Sequence, residues 1–413
     1  MLAPRLELKL DLTFDAARSV VLRYAPALLE GLLSGEELRT LWRGEGVRLA
    51  ELGEIGGVGL WVMDETTAMA SGTHKSLDGL LTTAFCRRQG IRRAAFSSGA
   101  NAGSALTLYG ASADLETFFF CPANNLGKLD GGLFKRPTAH LVAVEGSDRR
   151  VKEACRLFAE ASGMPVVPLL EWRVLSGACR GMFIAEQFLA GRKFDWLVQS
   201  VCAGYGPIGI YHALEALVCG GQYEQAGVPR FLGVQQAGLC PVVSAWSMGL
   251  ASLPPLGSTA WREAPIEPAL YNVYPDGTYP LLHRLLSRWG GDMLAVSESE
   301  FRSDVEVFAS LLERAGVRLT RISNNGKSQY LERAGLLAGV GAIRAIRSGR
   351  IPPGQRVLCA LTGGAGPAPA SPARPDCRIR AEEPLDSVIG KLAEELGGRR
   401  CSEPFPKGTG HED

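Results

Sequence analysis

Lys75 is the residue of this chain with the clearest capacity for chemistry, and it lies in the short polar stretch 73–79 (THKSLDG). The stretch follows the strand-like segment 60–67, so the lysine is expected where a buried strand ends. A lysine amine in such a setting can form a Schiff base with an aldehyde and can also carry a proton. An isolated lysine is most often a surface residue, so this interpretation depends on the segments that follow.

Three glycine-containing segments follow the lysine: 97–103 (SSGANAG), 204–209 (GYGPIG) and 361–364 (LTGG). The first opens a helix-like run at Asn101, and backbone N–H groups at the start of a helix bind anions. Asn101 could equally be an ordinary helix cap. Because the segments come in the order of a lysine, an anion-binding turn, a glycine loop and a final strand end, they predict one composite site.

The glycine segment 204–209 fits the GxGxxG pattern, after a strand and before a helix, that is typical of dinucleotide binding. A dinucleotide site needs an acidic residue at the end of the next strand, but here that strand ends in Gln235 and Gln236, and Glu224 lies before it. Glycines still let the backbone approach a ligand closely, and Pro207 suits a first helical turn. The segment therefore predicts a phosphate cradle, with a structural turn as the simpler alternative.

Composition excludes several classes of function. The 44 basic residues balance the 43 acidic ones, so no broad basic surface indicates nucleic-acid binding. The ten cysteines form no CxxC pair and the five histidines have no ligand spacing, so we expect reduced thiols and no metal site. Prolines and glutamines interrupt the longest uncharged stretch, and no signal-like pattern opens the chain. We expect a soluble, cytoplasmic protein without a nucleic-acid or membrane partner.

Short apolar strands alternate with helical patterns along the chain, which favours an α/β fold with mainly parallel sheets. Predicted elements include a helix at 101–109, strands at 231–234 and 293–296, a long helix at 331–347 and a strand at 357–362. The Pro/Ala/Gly-rich segment 364–375 is typical of a flexible linker. Beyond it, an apolar stripe at helical spacing predicts a helical tail over 376–413.

The four motifs together resemble the fold-type II pyridoxal-phosphate enzymes, and within them the threonine synthase and cysteate synthase group. THKSLDG is similar to the group's lysine motif, and DETT at 64–67 resembles the segment that precedes this motif in the group. The Asn101 turn resembles the group's S-[ST]-G-N-T loop. Residues 201–211 resemble the glycine-rich phosphate loop and 360–363 the final strand, so the match covers about 36–366. His74, Ser76 and Ala100 depart from the family pattern, and the glycine loop is about one residue short.

The resemblance implies a tryptophan synthase β-like fold with two three-layer α/β domains. It implies a cofactor-binding domain from 1–84 plus 191–363 and a smaller inserted domain, 85–190. It also implies pyridoxal phosphate as the cofactor and a homodimer. The implied contacts are Lys75 for the Schiff base, Asn101 for the ring hydroxyl, Thr362 for the pyridine nitrogen, and Ser98, Gly99 and Ala102 for the substrate carboxylate. The implied phosphate loop consists of Gly204, Tyr205, Gly206, Pro207, Ile208 and Gly209.

A neutral hydroxyl at Thr362 would leave the cofactor a weaker electron sink than an aspartate does, which favours elimination or replacement over transamination. We therefore expect the substrate to be a small amino acid with a side-chain leaving group, of the O-phosphoserine or O-phosphohomoserine type. A noncatalytic cofactor-binding or regulatory homologue is an alternative, and a nicotinamide oxidoreductase is a further one. The turn 124–128 is interpreted as solvated, although related enzymes often contact a substrate phosphate there.

Overall fold

A computed structural model describes residues 19–28, 34–44, 46–167, 170–255, 265–270, 272–324 and 327–397 of the 413-residue chain. The helices are α1 (Val20–Leu28), α2 (Gly35–Leu41), α3 (Lys75–Arg88), α4 (Asn101–Gly110), α5 (Asp148–Ser162), α6 (Leu170–Leu189), α7 (Tyr205–Cys219), α8 (Pro241–Ser247), α9 (Tyr279–Trp289), α10 (Glu298–Arg314), α11 (Ala334–Arg347) and α12 (Leu385–Leu392). The strands are β1 (Arg48–Ile55), β2 (Val58–Asp64), β3 (Arg93–Ser97), β4 (Glu116–Pro122), β5 (Ala139–Val144), β6 (Trp196–Ser200), β7 (Arg230–Gln236), β8 (Asp292–Val296), β9 (Arg321–Asn324), β10 (Lys327–Tyr330), β11 (Arg356–Leu361) and β12 (Cys377–Ile379).

The larger sheet has the strand order β1-β2-β11-β6-β7-β8 in the described part of the chain. Its neighbouring strands are parallel except for the antiparallel pair β1 and β2. Successive residues of β6 face opposite sides, so Leu197 packs with α6 and α7 while Val198 packs with α10 and α11. Helices thus cover both faces, which explains why the strands are almost continuously apolar.

The smaller sheet has the order β12-β5-β4-β3, and all of its strands are parallel. Alternate phenylalanines of β4 fill its two faces. Phe118 and Phe120 pack with α5 and α12, whereas Phe119 packs with α4. Each sheet is therefore the middle of a three-layer α/β unit, and the predicted fold class is confirmed.

The predicted site segments all follow the carboxyl ends of parallel strands. Lys75 comes after β2, the glycine loop after β6 and Thr362 after β11, in the larger sheet. Asn101 comes after β3 in the smaller sheet. Ligands bind at this edge of parallel sheets, and the topology brings the segments there although they are far apart in sequence.

Three features bear on the proposed domain limits. Helix α6 packs along α7, across the boundary placed at residue 190. The tail is not helical throughout, because β12 pairs with β5 before α12 begins, and the part beyond residue 397 lies outside the described residues. The segment 364–375 is held by contacts, since Ser371 O accepts from Gly131 N at 2.8 Å. The limits themselves stay a proposal.

Candidate active site

A hydrogen-bonded turn leads from β2 towards Lys75. The Asp64 carboxylate accepts from the backbone N–H groups of Thr66 (2.9 Å) and Thr67 (3.1 Å). It also accepts from the Thr66 hydroxyl at 2.6 Å. The DETT motif therefore has a structural basis, because its first carboxylate ends the strand and turns the chain towards the lysine.

The loop before Lys75 lies along the end of β11. His74 donates from its backbone N–H to Thr362 O at 3.0 Å, and its ring Nδ1 lies 3.1 Å from the same oxygen. Burial, followed by the nearby charges of Lys75 and Arg180, lowers the pKa of His74 well below its usual value, so the ring is neutral. Because Nδ1 faces a carbonyl, it carries the ring proton. These bonds place Lys75 beside Thr362, a buried residue with 4% exposure.

Lys75 is the first residue of α3, and its side chain is one-fifth exposed. Its Nζ lies 2.7 Å from Asp78 Oδ2, one helical turn further on. Asp78 is buried, and its other oxygen accepts from the Ser176 hydroxyl of α6. Sequence reasoning missed this pair, although the i, i+3 spacing of Lys75 and Asp78 places both on one helix face.

The first turns of α3 and α4 lie side by side. A Cβ added at Gly79, one turn after Lys75, would lie 2.8 Å from the backbone of Ala105, one turn after Asn101. Only glycine allows this approach. Lys75 and Asn101 are therefore brought to the same end of the helix pair.

The N-terminus of α4 offers free hydrogen-bond donors. Within the described residues, the N–H groups of Asn101, Ala102 and Gly103 have no backbone acceptor. Ser98 differs from the expectation, because its N–H donates to Phe120 O at 3.1 Å. The Ser98 hydroxyl oxygen accepts from Ala100 N at 3.3 Å, so its hydrogen remains able to donate to an anion.

The segment expected to be a solvated turn is partly buried instead. Residues Ala123–Lys128 form a 3-10 helix, and Asn125 within it is only 2% exposed. Asn125 Nδ2 donates to Gly99 O at 2.7 Å and so fixes the peptide next to the α4 N-terminus. Lys128 forms a salt bridge with Glu267, which is fully buried. A polar side chain at the end of a parallel strand was the only signal in the sequence for this role.

The glycine loop begins at Gly204, whose φ of +81° favours glycine over any other residue. The N–H groups of Gly204, Tyr205 and Gly206 have no backbone acceptor among the described residues. They lie at the N-terminus of α7, where the helix dipole favours negative charge. The loop therefore has the donors and the electrostatics of a phosphate cradle.

The last two residues of the predicted loop serve the helix instead. Ile208 N donates to Gly204 O at 3.1 Å, so it is not available to a ligand. A Cβ at Gly209 would lie 2.0 Å from Val174 O of α6, so this glycine permits the close crossing of α6 and α7. The predicted cradle is thus reduced to 204–206, with Pro207 in the first helical turn.

Arg180 lies behind the cradle and was missed by sequence reasoning. It is fully buried and forms a two-pronged salt bridge with the equally buried Glu65. Its Nη2 also donates to Gln199 at 2.8 Å, while its Nη1 has no partner in the described part of the chain. A Cβ at Gly206 would lie 2.6 Å from that nitrogen. A single arginine in the apolar stretch 178–185 was the available signal.

A cavity of about 210 Å³ adjoins the site. Thr73, Asn101, Lys128 and Glu332 are among the residues that line it, whereas Lys75 and the cradle are not. Burial, and then the charge of Glu267, raises the pKa of Glu332 to about 7. Glu332 Oε2 has no partner among the described residues, so this cavity contains an unsatisfied carboxyl group.

The residues present suit pyridoxal phosphate. Lys75 supplies the amine, and the free N–H groups at 204–206 suit a phosphate dianion. The partnerless Nη1 of Arg180 beside Gly206 adds positive charge at the same place. Within the described residues, no group of three or more His, Cys, Asp or Glu side chains could hold a metal ion, and no helix is long and apolar enough to cross a membrane.

Comparison with solved structures shows the same fold. Threonine synthase from Escherichia coli superposes with a TM-score of 0.59 at 14% identity, covering 95% of this chain and 82% of the other. Maize serine racemase superposes with a TM-score of 0.58 at 14% identity, covering 84% of this chain and 95% of the other. At this level of identity the likeness concerns the fold alone.

Curated relatives are named cysteate synthase. The protein of Methanoculleus marisnigri is 28% identical over 221 residues, covering 50% of this chain and 48% of the relative. That of Methanosphaerula palustris is 30% identical over 184 residues, covering 42% and 38%. The chain thus matches at most about half the length of these relatives. A family model described as pyridoxal-phosphate dependent enzyme matches residues 42–363. The chain belongs to this family, and its cofactor is pyridoxal 5′-phosphate.

Proposed function

We propose that the chain holds pyridoxal phosphate at Lys75 and catalyses elimination, with or without replacement, on a small amino acid with a side-chain leaving group. The substrate is of the O-phosphoserine or O-phosphohomoserine type. The observation that carries the proposal is that four features lie together. These are the lysine, the strand end at Thr362, the α4 N-terminus and the cradle at 204–206. Three of them follow neighbouring strands of the larger sheet, and the close packing of α3 and α4 brings the α4 N-terminus to them.

Each residue has a definite task in this proposal. Pyridoxal phosphate, when bound, supplies an electron sink that stabilises negative charge at the substrate Cα. The cradle N–H groups hold the phosphate, Asn101 meets the ring hydroxyl, and Thr362 offers a neutral hydroxyl to the ring nitrogen. Lys75 Nζ takes the proton from Cα. The substrate carboxylate is held by the free N–H groups of α4 and by the Ser98 hydroxyl.

Cationic side chains near the candidate site favour a substrate whose leaving group is an anion. The Arg173 guanidinium lies 5.3 Å from the ring centre of Tyr205 in the cradle, and its Nε has no hydrogen-bond partner among the described residues. Lys128 lines the adjoining cavity, where its charge is paired with that of Glu267. The name of the curated relatives, cysteate synthase, is consistent with a replacement reaction that forms a β-substituted amino acid.

A noncatalytic cofactor-binding homologue remains the second candidate. The observation in its favour is the salt bridge of Lys75 with the buried Asp78, which ties the amine to its own helix. A nicotinamide oxidoreductase has no such support, because Gln235 and Gln236 are buried and bind backbone groups of α8 and of Glu267. We also propose a homodimer, which sedimentation of the purified protein would test.

The test is a substrate screen on cofactor-loaded protein. O-phosphoserine, O-phosphohomoserine, O-acetylserine and threonine are added in turn, and visible absorbance and released phosphate are followed. We expect a phosphorylated substrate to change the spectrum and to release phosphate in proportion to enzyme turnover. Cofactor-loaded protein whose spectrum none of the four changes would favour the noncatalytic candidate.

A further inference from the structure

The salt bridge between Lys75 and Asp78 is built into two helices. Asp78 lies on α3, one turn after the lysine, and its Oδ2 accepts from Lys75 Nζ at 2.7 Å. Its Oδ1 accepts from the hydroxyl of Ser176 on α6, whose oxygen also lies 2.9 Å from Arg173 O. Both oxygens are therefore engaged, and α6 fixes the carboxylate from outside its own helix.

Burial makes the carboxylate depend on these partners. Asp78 is 2% exposed and Ser176 is 3% exposed, so the carboxylate has little access to water. A buried carboxylate is costly unless a positive charge or hydrogen-bond donors compensate it. The Lys75 nitrogen is the only cation to which Asp78 is bonded among the described residues. Protonation of that nitrogen and the charge of Asp78 are thus mutually stabilising.

Three other ionisable groups near Lys75 are either paired or neutral. Glu65, from the β2 end, is paired with Arg180 of α6. His74 is neutral because burial depresses its pKa. Cys202, from the loop after β6, is a thiol because burial raises its pKa. Among the described residues, Asp78 is therefore the acidic side chain that lies within hydrogen-bond distance of the lysine nitrogen.

We propose that Asp78, held by Ser176, is a positioning residue for Lys75. Its carboxylate favours the protonated form of the lysine nitrogen and keeps that nitrogen in place when the lysine is released during turnover. The inference rests on the proposed function, since it concerns the same lysine. It adds a residue of this chain that controls how the amine holds its proton.

The experiment compares cofactor-loaded parent protein with Asp78→Asn, Ser176→Ala and the control Asp304→Asn. Asp304 is also buried and paired with arginines, but it lies on α10, on the opposite side of the larger sheet. Visible absorbance is followed against pH. An opposite charge at this distance stabilises the protonated form by about one to three pH units. We expect the pH midpoint of the absorbance change to fall by that amount in Asp78→Asn. In Asp304→Asn we expect the same pH midpoint as in the parent.

Ser176→Ala separates position from charge. It leaves the carboxylate in place but frees one oxygen, so we expect a midpoint close to the parent's and a lower kcat with unchanged KM. Asp78→Ser serves as the second variant where Asp78→Asn does not fold.

A folded, cofactor-loaded Asp78 variant with the parent's midpoint would overturn the inference while leaving the proposed function intact. A parent protein that binds no chromophore would overturn the proposed function, and the inference with it.

Discussion

The cofactor side and the substrate side of the candidate site are built differently. On the cofactor side, the loop before Lys75 is fixed by backbone bonds to Thr362, and a buried ion pair, Arg180 with Glu65, supports the cradle. On the substrate side, the α4 N-terminus offers open N–H groups, and one amide, that of Asn125, braces it. The difference suggests that cofactor binding is tied to the stability of the fold, whereas substrate preference can change through a few side chains.

On the cofactor side, we expect Arg180→Met to cause the largest loss of stability. It leaves the Glu65 carboxylate buried without its cation, which typically costs about 3–5 kcal/mol of stability. The measurement is urea unfolding of the cofactor-free protein. Arg302→Met, which removes an exposed i, i+4 pair with Glu298, is the matched control and should have a much smaller effect.

A double variant, Arg180→Met with Glu65→Met, should recover much of the lost stability because no charge remains buried. Equal stability of Arg180→Met and the parent would show that the ion pair does not stabilise the fold.

Glu332 lies where the two sides meet and predicts a dependence of stability on pH. Its pKa is raised from 4.5 to about 7 in the folded protein, so the folded state binds more protons than the unfolded state between these values. Its contribution to the free energy of unfolding is therefore fully present below pH 4.5 and is lost as the pH rises through about 7. The shift corresponds to at most about 3 kcal/mol.

Glu332→Gln should remove this contribution, so that the variant loses less stability than the parent between pH 5 and 8. The free energy of unfolding at several pH values provides the measurement. Parallel curves for parent and variant would mean that Glu332 has the same proton affinity in both states.

On the substrate side, Asn125→Ala tests whether the Asn125 amide positions the α4 N-terminus. Loss of the hydrogen bond to Gly99 O should shift the α4 N-terminus and so raise KM. A buried group left without its hydrogen bond costs about 1–3 kcal/mol of free energy. Asn124→Ala is the matched control, since Asn124 is exposed on the same 3-10 helix. The ratio of KM values with the best substrate distinguishes the two. A similar KM for both variants would remove Asn125 from the site.

The sequence was sufficient for the fold and for the order of the site segments. Apolar strands alternating with helical patterns predicted parallel sheets, and four short motifs located the strand ends that meet at the edge. These features are local, because each depends on a few neighbouring residues. Lys75, Asn101 and the cradle residues could therefore be named before their arrangement was known.

Partners from distant elements could not be predicted in the same way. Arg180 and Glu65 are 115 residues apart, and Asp78 and Ser176 are 98 residues apart. Nothing in either local pattern indicates which of the many polar residues will meet across elements that are far apart in the sequence. Gly209 shows the same limit, because its place in a glycine motif suggested a ligand contact while the crossing of α6 and α7 determines its role.

The attachment of the cofactor to Lys75 is the central claim, and borohydride reduction followed by peptide mapping tests it most directly. Reduction fixes the cofactor to the amine that carries it, so we expect the label on the peptide that contains Lys75. The Lys75→Ala variant should carry no label and should lose activity by at least about 10²–10⁴-fold, because proton transfer is also lost. Label on Lys128 instead, or an unlabelled parent protein, would contradict the account.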